Sequence, residues 1–150
     1  IYQESRFNPS VTSPRGAYGL MQVMPETGLH FGYDVTRSVE NNIRAGISYI
    51  RMLDRLFSQW VSDPDERVKF ILASYNAGHG HVIDAIRLAE KNGLDSGRWE
   101  DNVSLFLERK ADPAFYADPV VRNGRLRQGV AVNAYVDDIL ERYEHYRNIK

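Results

Sequence analysis

Glu4 places a carboxyl group close to three apolar residues, Ile1, Tyr2 and Phe7, near the start of the sequence. If Glu4 lies at a helix end that faces a cleft, these neighbours would remove water from its carboxyl group, and burial raises the pKa of a carboxylic acid. A carboxyl group that keeps its proton near neutral pH can act as a general acid on a glycosidic oxygen. An ordinary surface glutamate near a helix C-terminus explains the same position, and position alone favours that second interpretation.

The segment that follows Glu4 is typical of a loop that approaches a ligand. Asn8-Pro9 predicts the end of the helix, because a residue before proline avoids the helical region. Gly16 and Gly19 bracket a tight turn that can bring backbone close to a ligand. Residues 20–25 are mostly apolar but include Gln22, which is expected either to find buried hydrogen-bond partners or to line the floor of a groove. A Met-rich run such as this one is also typical of plain core.

Other side chains with possible catalytic chemistry carry weaker signals. The sequence has no cysteine, which excludes a thiolate nucleophile and a Cys-based zinc site. His79 and His81 are two positions apart and would not share a helix face, so we expect no metal site there. Glu26, Asp34 and Glu40 are predicted to be solvated or capping residues rather than a second catalytic acid.

Length and charge restrict the class of protein. A chain of 150 residues fits one domain, residues 1–150, with a real core. Its net charge of −1 argues against a nucleic-acid binder. No apolar run approaches the roughly 18 residues of a membrane-spanning helix, and no signal peptide is present. Because the sequence opens on Ile1 within a segment that favours helix, we expect an N-terminally truncated part of a longer protein.

Apolar residues that recur every three or four positions predict the first two main helices. One covers 39–60, and its apolar face consists of Ile43, Ile47, Ile50, Leu53, Phe57 and Trp60. The next begins at Asp63-Pro64, with Asp63 as the cap, Pro64 at the first helical position and Glu66 completing a capping box. It is expected to run to about residue 75, and its side chains that face inward are expected to be Val68, Leu72 and Tyr75.

Three more helices complete an all-α prediction. They cover about 82–91, 100–109 and 130–147, and the second is the weakest. Asn92-Gly93 is a typical C-terminal signal for the first. The apolar positions of the last are Val132, Val136, Ile139, Tyr143 and Tyr146. No segment alternates like a β-strand, and residues 8–18 and 111–128 are expected to form long loops.

Three segments stand out in order along the sequence: residues 3–9 (QESRFNP), 13–25 (SPRGAYGLMQVMP) and 74–78 (SYNAG). Together they resemble the catalytic domain of the soluble lytic transglycosylases, the goose-lysozyme-like domain of glycoside hydrolase family 23. Asn42-Ile43-x-Ala45-Gly46 and Tyr135-Val136 also fall where that family has characteristic residues. Segments 80–85, 99–101 and 116–121 narrow the resemblance to the F-type membrane-bound lytic murein transglycosylases, and the similarity extends over essentially the whole chain.

This resemblance implies a lysozyme-like, multi-helix fold and an enzyme that cuts peptidoglycan at the β-1,4 bond between N-acetylmuramic acid and N-acetylglucosamine. Glu4 would be the single acid and base. The substrate-binding residues that the resemblance implies are Ser5, Met21, Gln22, Tyr75, Asn76 and Tyr135. Of these, Tyr75 and Asn76 would border the cleft, and Tyr135 would donate its hydroxyl toward the Glu4 carboxyl.

The implied reaction needs neither a second carboxylate nor a cofactor. Most glycosidases use two carboxylates, whereas here the 6-hydroxyl of the muramoyl sugar would close a 1,6-anhydro ring without water. We therefore expect no metal and no organic cofactor. A hydrolytic muramidase on the same fold and a non-catalytic peptidoglycan-binding module are the alternatives.

The resemblance also implies a cellular place and a partner domain. The family acts in the periplasm or from an outer-membrane anchor that faces it, and F-type proteins carry a solute-binding-like domain before the catalytic one. A possible N-terminal regulatory domain of that kind is therefore expected in the full protein.

Of three further sets of residues, two keep two interpretations each. Trp99 and Tyr116 could stack on sugar rings or pack in the core. Glu108-Arg109-Lys110 is predicted to be a solvated face. Three loop arginines, Arg122, Arg125 and Arg127, could contact anionic stem peptides or simply lie on the surface.

Overall fold

The computed structural model describes residues 1–149, and these residues form eight α-helices, one π-type turn and no β-strand. The helices are α1 (Tyr2–Ser5), α2 (Pro25–His30), α3 (Val39–Phe57), α4 (Pro64–Ala77), α5 (His79–Lys91), α6 (Ser104–Arg109), α7 (Pro113–Tyr116) and α8 (Gly129–Asn148), and the π-type turn is Trp99–Val103. Two isolated antiparallel bridges join Tyr18 to Thr12 and to Val23. The all-α prediction is confirmed.

The chain forms two compact units, Ile1–Met52 and Leu53–Lys150. The first holds α1, α2 and most of α3. The second holds the last residues of α3 and all later elements. No helix among the described residues is long and apolar enough to cross a membrane.

The first unit packs the long loop between α1 and α2 onto one face of α3. Its core is a cluster of buried side chains with partly buried neighbours: Met21, Val23, Val35 and Ala45, flanked by Tyr18, Leu20, Tyr33, Ile43 and Ile50. The predicted face of α3 is partly wrong, because Asn42, Ala45 and Gly46 are buried while Ile47 is 40% exposed. Small residues are required on this face because a Cβ atom at Gly46 would lie 2.5 Å from Met21 Sδ.

In the second unit α4 begins as predicted but buries a different face. Asp63 caps it by accepting a hydrogen bond from Asp65 N, and Pro64 takes the first position. Glu66 does not close a capping box; it accepts hydrogen bonds from Trp99 N and Lys69 Nζ instead.

The buried residues of α4 are Phe70, Ile71, Ala73 and Ser74, whereas Val68 is 40% exposed and Leu72 and Tyr75 are half-buried. The prediction of an inward Val68 is therefore wrong. The Phe70 ring lies 5.9 Å from that of Phe57 and 5.0 Å from that of Trp99, and this aromatic contact sets the orientation of the helix.

The later helices differ from prediction mainly at their ends. Helix α5 begins at His79 rather than 82, because Gly78 takes a positive φ of 94° and separates α4 from α5 by a single residue. The predicted 100–109 helix is interrupted by the π-type turn, where Asp101 has a φ of 57°. Helix α8 matches its prediction closely and buries Val132 and Val136, but Tyr143 and Tyr146 are exposed.

Lys110 is buried, so the prediction of a solvated face at 108–110 is wrong for this residue. Its Nζ lies 2.8 Å from Asp84 Oδ2, and both side chains are fully buried. Lys110 follows Leu107 and Phe106 by three and four positions, and therefore shares the inward face of that helical segment. Arg109 is exposed, as predicted.

Asp84 also fixes the loop of residues 111–128, which contains α7. Its carboxylate accepts hydrogen bonds from Arg122 N at 2.9 Å and Asn123 N at 2.8 Å, besides the one from Lys110. Burial raises the pKa of Asp84, but these hydrogen bonds outweigh burial and hold the pKa below its usual value. The negative charge on Asp84 is therefore what compensates Lys110.

Replacing Asp84→Asn is expected to lower the free energy of unfolding by about 3–5 kcal/mol, because it leaves the buried Lys110 charge unpaired. Urea denaturation with unchanged m-values measures this. The matched control is Glu40→Gln, whose ion pair with Arg44 is mostly exposed and should matter little. Equal effects of the two replacements would contradict the role assigned to Asp84.

Candidate functional site

Glu4 lies in the single helical turn α1, which ends earlier than predicted. The turn ends after Ser5, because Arg6 and Phe7 both take left-handed conformations with φ of 50° and 63°. Glu4 itself is half-buried, but Ile1 is 43% and Phe7 60% exposed. The exposure of these two neighbours does not support the predicted apolar shielding of the carboxyl, and a raised pKa of Glu4 stays a prediction.

Ser5 connects the Glu4 turn to the loop that follows it. Its side chain is 7% exposed, and its Oγ donates a hydrogen bond to the carbonyl oxygen of Leu20 at 2.8 Å. The bond spans fifteen residues of sequence. It fixes Glu4, the residue before Ser5, relative to the segment that contains Met21 and Gln22.

The predicted glycine turn is present, with φ of 93° at Gly16 and 78° at Gly19. Gly19 approaches a side chain of its own unit, since a Cβ atom there would lie 2.5 Å from Asn42 Nδ2. Gly16 has no such neighbour, and the nearest atom to a Cβ there is 4.0 Å away. The backbone at Gly19 must therefore approach Asn42 closely for the unit to pack. Of the two glycines, only Gly16 has open space beside its backbone.

Gln22 braces this loop from inside. It takes a left-handed conformation with φ of 48°, and its Nε2 donates to Val11 O at 3.0 Å and to Gly19 O at 2.9 Å. The side-chain nitrogen is thus engaged by backbone carbonyls, and a glycan contact would use its Oε1. Gln22 is half-buried and finds hydrogen-bond partners within the loop, which agrees with one of the two predicted alternatives, and the glycan contact stays a prediction.

Met21 belongs to the core of the first unit. Its side chain is 9% exposed and lies against Gly46. Its main contribution in this structure is packing, and its predicted place along a glycan groove is untested.

Asn42 holds the Met21 backbone in place, a role that sequence reasoning missed. Its side chain is buried, its Oδ1 accepts a hydrogen bond from Met21 N at 2.9 Å, and its Nδ2 donates to Tyr18 O at 2.7 Å. The available signal was its register, because Asn42 precedes the small residues Ala45 and Gly46 by three and four positions on one helix face.

The remaining candidate site residues belong to the second unit. Tyr75 and Asn76 occupy the last turn of α4, where Tyr75 is half-buried and Asn76 exposed. Tyr135 is buried, at 9% exposure, in α8, which packs against α4. The structure thus brings the helices of these three residues together within one unit, and their contact with substrate stays a prediction.

The two aromatic candidates differ in how deeply they are buried. Trp99 is buried against Phe70 and is therefore a core residue, not a platform for sugar. Tyr116 is half-buried, and the Arg125 guanidinium lies 5.5 Å from its ring centre.

The three other acids have the solvated or capping roles predicted for them. Asp34 accepts hydrogen bonds from Thr36, Glu40 pairs with Arg44 in solvent, and Glu26 is exposed in the first turn of α2.

A family comparison matches residues 1–95 to the transglycosylase SLT domain. The chain belongs to this family. Every candidate site residue of the first unit, with Tyr75 and Asn76, lies inside the matched range, whereas Tyr135 lies outside it.

Curated relatives extend the similarity to nearly the whole chain. The chain is 37% identical to a membrane-bound lytic murein transglycosylase F of Desulfosudis oleivorans over 144 residues, 96% of this chain and 31% of the relative. Proteins of the same name from Shewanella frigidimarina and Marinobacter nauticus are 40% and 37% identical over 95% of the chain, and 29% and 28% of their own lengths are covered. The chain thus spans about three tenths of these relatives.

Replacing Asn42→Ala is expected to lower the free energy of unfolding by about 1–3 kcal/mol, because the buried bond to Met21 N is lost, whereas Tyr18 O keeps its bond from Val23 N. Asn41→Ala is the matched control. The Asn41 amide donates only to the exposed Asp34 carbonyl, so the cost there should stay within about 0.5 kcal/mol. Urea denaturation of both variants gives the comparison, and similar losses would refute the assignment.

His81 gives a prediction for the dependence of stability on pH. Its Nδ1 lies 2.8 Å from Lys110 Nζ. Burial first, and the Lys110 charge second, lower the pKa of His81 below its usual 6.5, although Asp84 offsets part of this. Since the unfolded chain binds a proton there below about pH 6.5 and the folded chain does not, the free energy of unfolding should fall as the pH drops from about 7 to about 5. The lowered pKa of Asp84 acts only at lower pH, below 3.8.

The measurement is urea denaturation across this pH range for the wild type and His81→Gln, and the variant should show a smaller fall. His79→Gln is the control, because His79 is exposed on the same helix. A slope that is unaltered in His81→Gln would contradict the prediction.

Proposed function

We propose that this chain is the catalytic domain of a lytic transglycosylase that cleaves peptidoglycan at the β-1,4 bond between N-acetylmuramic acid and N-acetylglucosamine. The observation that carries the proposal is the transglycosylase SLT match over residues 1–95, which includes Glu4. The Ser5–Leu20 hydrogen bond supports it, because this bond gives the Glu4 turn a fixed place beside the loop.

In the proposed reaction Glu4 acts first as an acid and then as a base. Its carboxyl proton passes to the glycosidic oxygen as the bond from that oxygen to the muramoyl C1 breaks, and the 2-acetamido oxygen of the same sugar bonds to C1. The Glu4 carboxylate then takes the proton of the 6-hydroxyl, whose oxygen displaces the acetamido oxygen from C1. The products are a 1,6-anhydro-muramoyl end and a free 4-hydroxyl on N-acetylglucosamine. Attack from within one sugar has a high effective concentration, which favours it over attack by water.

The other site residues are proposed to hold the glycan. Ser5 positions Glu4, and Gln22 presents its Oε1 to a sugar while its nitrogen holds the loop. From the resemblance, Met21, Tyr75, Asn76 and Tyr135 are proposed to contact the glycan. The reaction uses no metal and no cofactor.

The proposed place of action is the cell envelope, on its periplasmic side. The relatives are named membrane-bound lytic murein transglycosylases, which supports an envelope location. A solute-binding-like regulatory domain in the same protein stays a prediction from the resemblance.

Replacing Glu4→Gln in the intact protein should lower kcat on isolated peptidoglycan by at least about 100-fold, the size expected for loss of a general acid and base. Binding to insoluble peptidoglycan should persist, because the amide keeps the shape of the carboxyl. Glu26→Gln is the matched control, since Glu26 is an exposed glutamate of the same unit. Turnover at wild-type level in Glu4→Gln would remove Glu4 from the mechanism.

Mass spectrometry of the wild-type products tests the reaction type in the same assay. Anhydro-muramoyl ends, which lack one water relative to reducing ends, are expected. Reducing ends alone would establish a muramidase, and binding without any cleavage would establish a non-catalytic module.

A further inference from the structure

A cationic loop lies on the surface of the second unit. Residues 119–136 contain no Asp or Glu but include Arg122, Arg125 and Arg127, in a chain whose net charge is −1. All three arginines are exposed, and none forms a salt bridge with the described residues. Three guanidinium groups without a salt bridge within six positions give this loop a local positive charge.

The backbone of this loop is held by contacts that do not involve its arginine side chains. Asp84 binds the N–H groups of Arg122 and Asn123. The Asn123 side chain donates to Gly80 O at 2.9 Å, and Leu126 N donates to Lys110 O at 3.2 Å. The arginine side chains are therefore not needed to hold the loop together.

Gly80 lies directly against the Asn123 side chain of this loop. A Cβ atom at Gly80 would lie 2.4 Å from Asn123 Oδ1, so a larger residue would displace this side chain from its hydrogen bond to Gly80 O. A fixed backbone lowers the entropy cost of binding for the side chains that project from it.

The arginine side chains fit a carboxylate ligand. A guanidinium group is a planar fork that binds carboxylates through two parallel hydrogen bonds. The Arg125 guanidinium lies over the Tyr116 ring, which restricts its position while leaving its N–H groups at the rim available.

We propose that the loop of residues 122–127 binds the carboxylates of peptidoglycan stem peptides and makes the enzyme prefer peptide-bearing glycan to bare glycan. This inference rests on the proposed function, because that function supplies a substrate with carboxylate-bearing peptides. The same guanidinium groups could bind phospholipid phosphate. Three separate arginines on a loop with a fixed backbone, however, suit small anionic peptides better than a membrane surface.

The first test compares two substrates for the intact protein: peptidoglycan with its stem peptides, and glycan strands from which an amidase has removed the peptides. The triple replacement Arg122→Gln, Arg125→Gln and Arg127→Gln should lower kcat/KM on the first substrate by about tenfold, since each exposed ion pair contributes modestly. Activity on bare strands should not change. The wild-type preference should also shrink as salt rises from about 0.05 to 0.3 M, because exposed charges are screened.

The matched control replaces three exposed arginines outside the loop, Arg51→Gln, Arg55→Gln and Arg147→Gln. It removes the same total charge and should leave the substrate preference intact. If the thermal midpoint of the triple loop variant falls, the three single replacements take its place, with smaller effects in the same direction. An equal loss of activity on both substrates, or the same change in the control, would overturn the proposal.

A binding measurement keeps this proposal separate from the proposed function. The probes are the peptide that the amidase releases, its carboxyl-amidated form, and vesicles of anionic phospholipid. The free peptide should shift the backbone amide signals of residues 122–127 in NMR spectra, and the amidated form should not. This result is expected even if the protein cleaves no glycan, in which case only the proposed function fails. Arginine-dependent binding of vesicles without binding of peptide would overturn the proposal and assign the loop to a membrane.

Discussion

The backbone of an irregular segment must find hydrogen-bond partners wherever it is buried, and this constraint shapes both units of the chain. Residues 6–24 and 111–128 contain little regular structure, so their N–H and C=O groups cannot all pair within the segment. In the first unit the Asn42 amide binds Met21 N and Tyr18 O. In the second unit the Asp84 carboxylate binds Arg122 N and Asn123 N. In each loop, one buried polar side chain on a helix thus binds part of the backbone.

The two side chains differ because the two loops offer different groups. The first loop presents one donor and one acceptor, and an amide carries both. The second presents two donors, and Lys110 adds a buried cation, so a carboxylate with its negative charge is the matching group. A buried ion pair often contributes little net stability, but loss of one partner is costly. The Asp84 cluster therefore matters for where the loop lies more than for how stable the unit is.

Sequence patterns predicted the kind and order of the main helices well and their buried faces less well. Asp63, Pro64 and Asn92-Gly93 act through local chemistry, and the helix ends follow them. The face of α3 was misjudged because the buried positions are Ala45 and Gly46, whose small size is required by the Met21 side chain, and small residues carry a weak apolar signal.

The burial of a polar residue can depend on a partner that is distant in the sequence, as Lys110 shows. The sequence predicts that Lys110 is exposed to solvent, because a lysine is almost never fully buried without a partner. That partner, Asp84, lies 26 positions away in sequence and could not be paired with it from spacing alone. For the candidate site, the sequence indicated Glu4 and the glycine turn, but the roles of Ser5 and Gln22 as internal braces depend on contacts across the loop.

The position of Glu4 depends on the loop more than on the helix that carries it. A helix of four residues is not stable by itself, because nucleation costs more than one turn returns. In α1, Glu4 N and Ser5 N both donate to Ile1 O, and two left-handed residues, Arg6 and Phe7, follow at once.

For residues other than glycine, left-handed conformations cost of order 1 kcal/mol each, so other contacts must compensate for them. Arg6 and Phe7 both contact the Tyr2 ring, and a further compensating contact is the bond from Ser5 Oγ to Leu20 O, whose acceptor belongs to the loop that Asn42 and Gln22 hold. The acid and base role proposed for Glu4 requires a carboxyl group in a defined place, and within the first unit the bond from Ser5 to the loop restricts where the Glu4 turn lies.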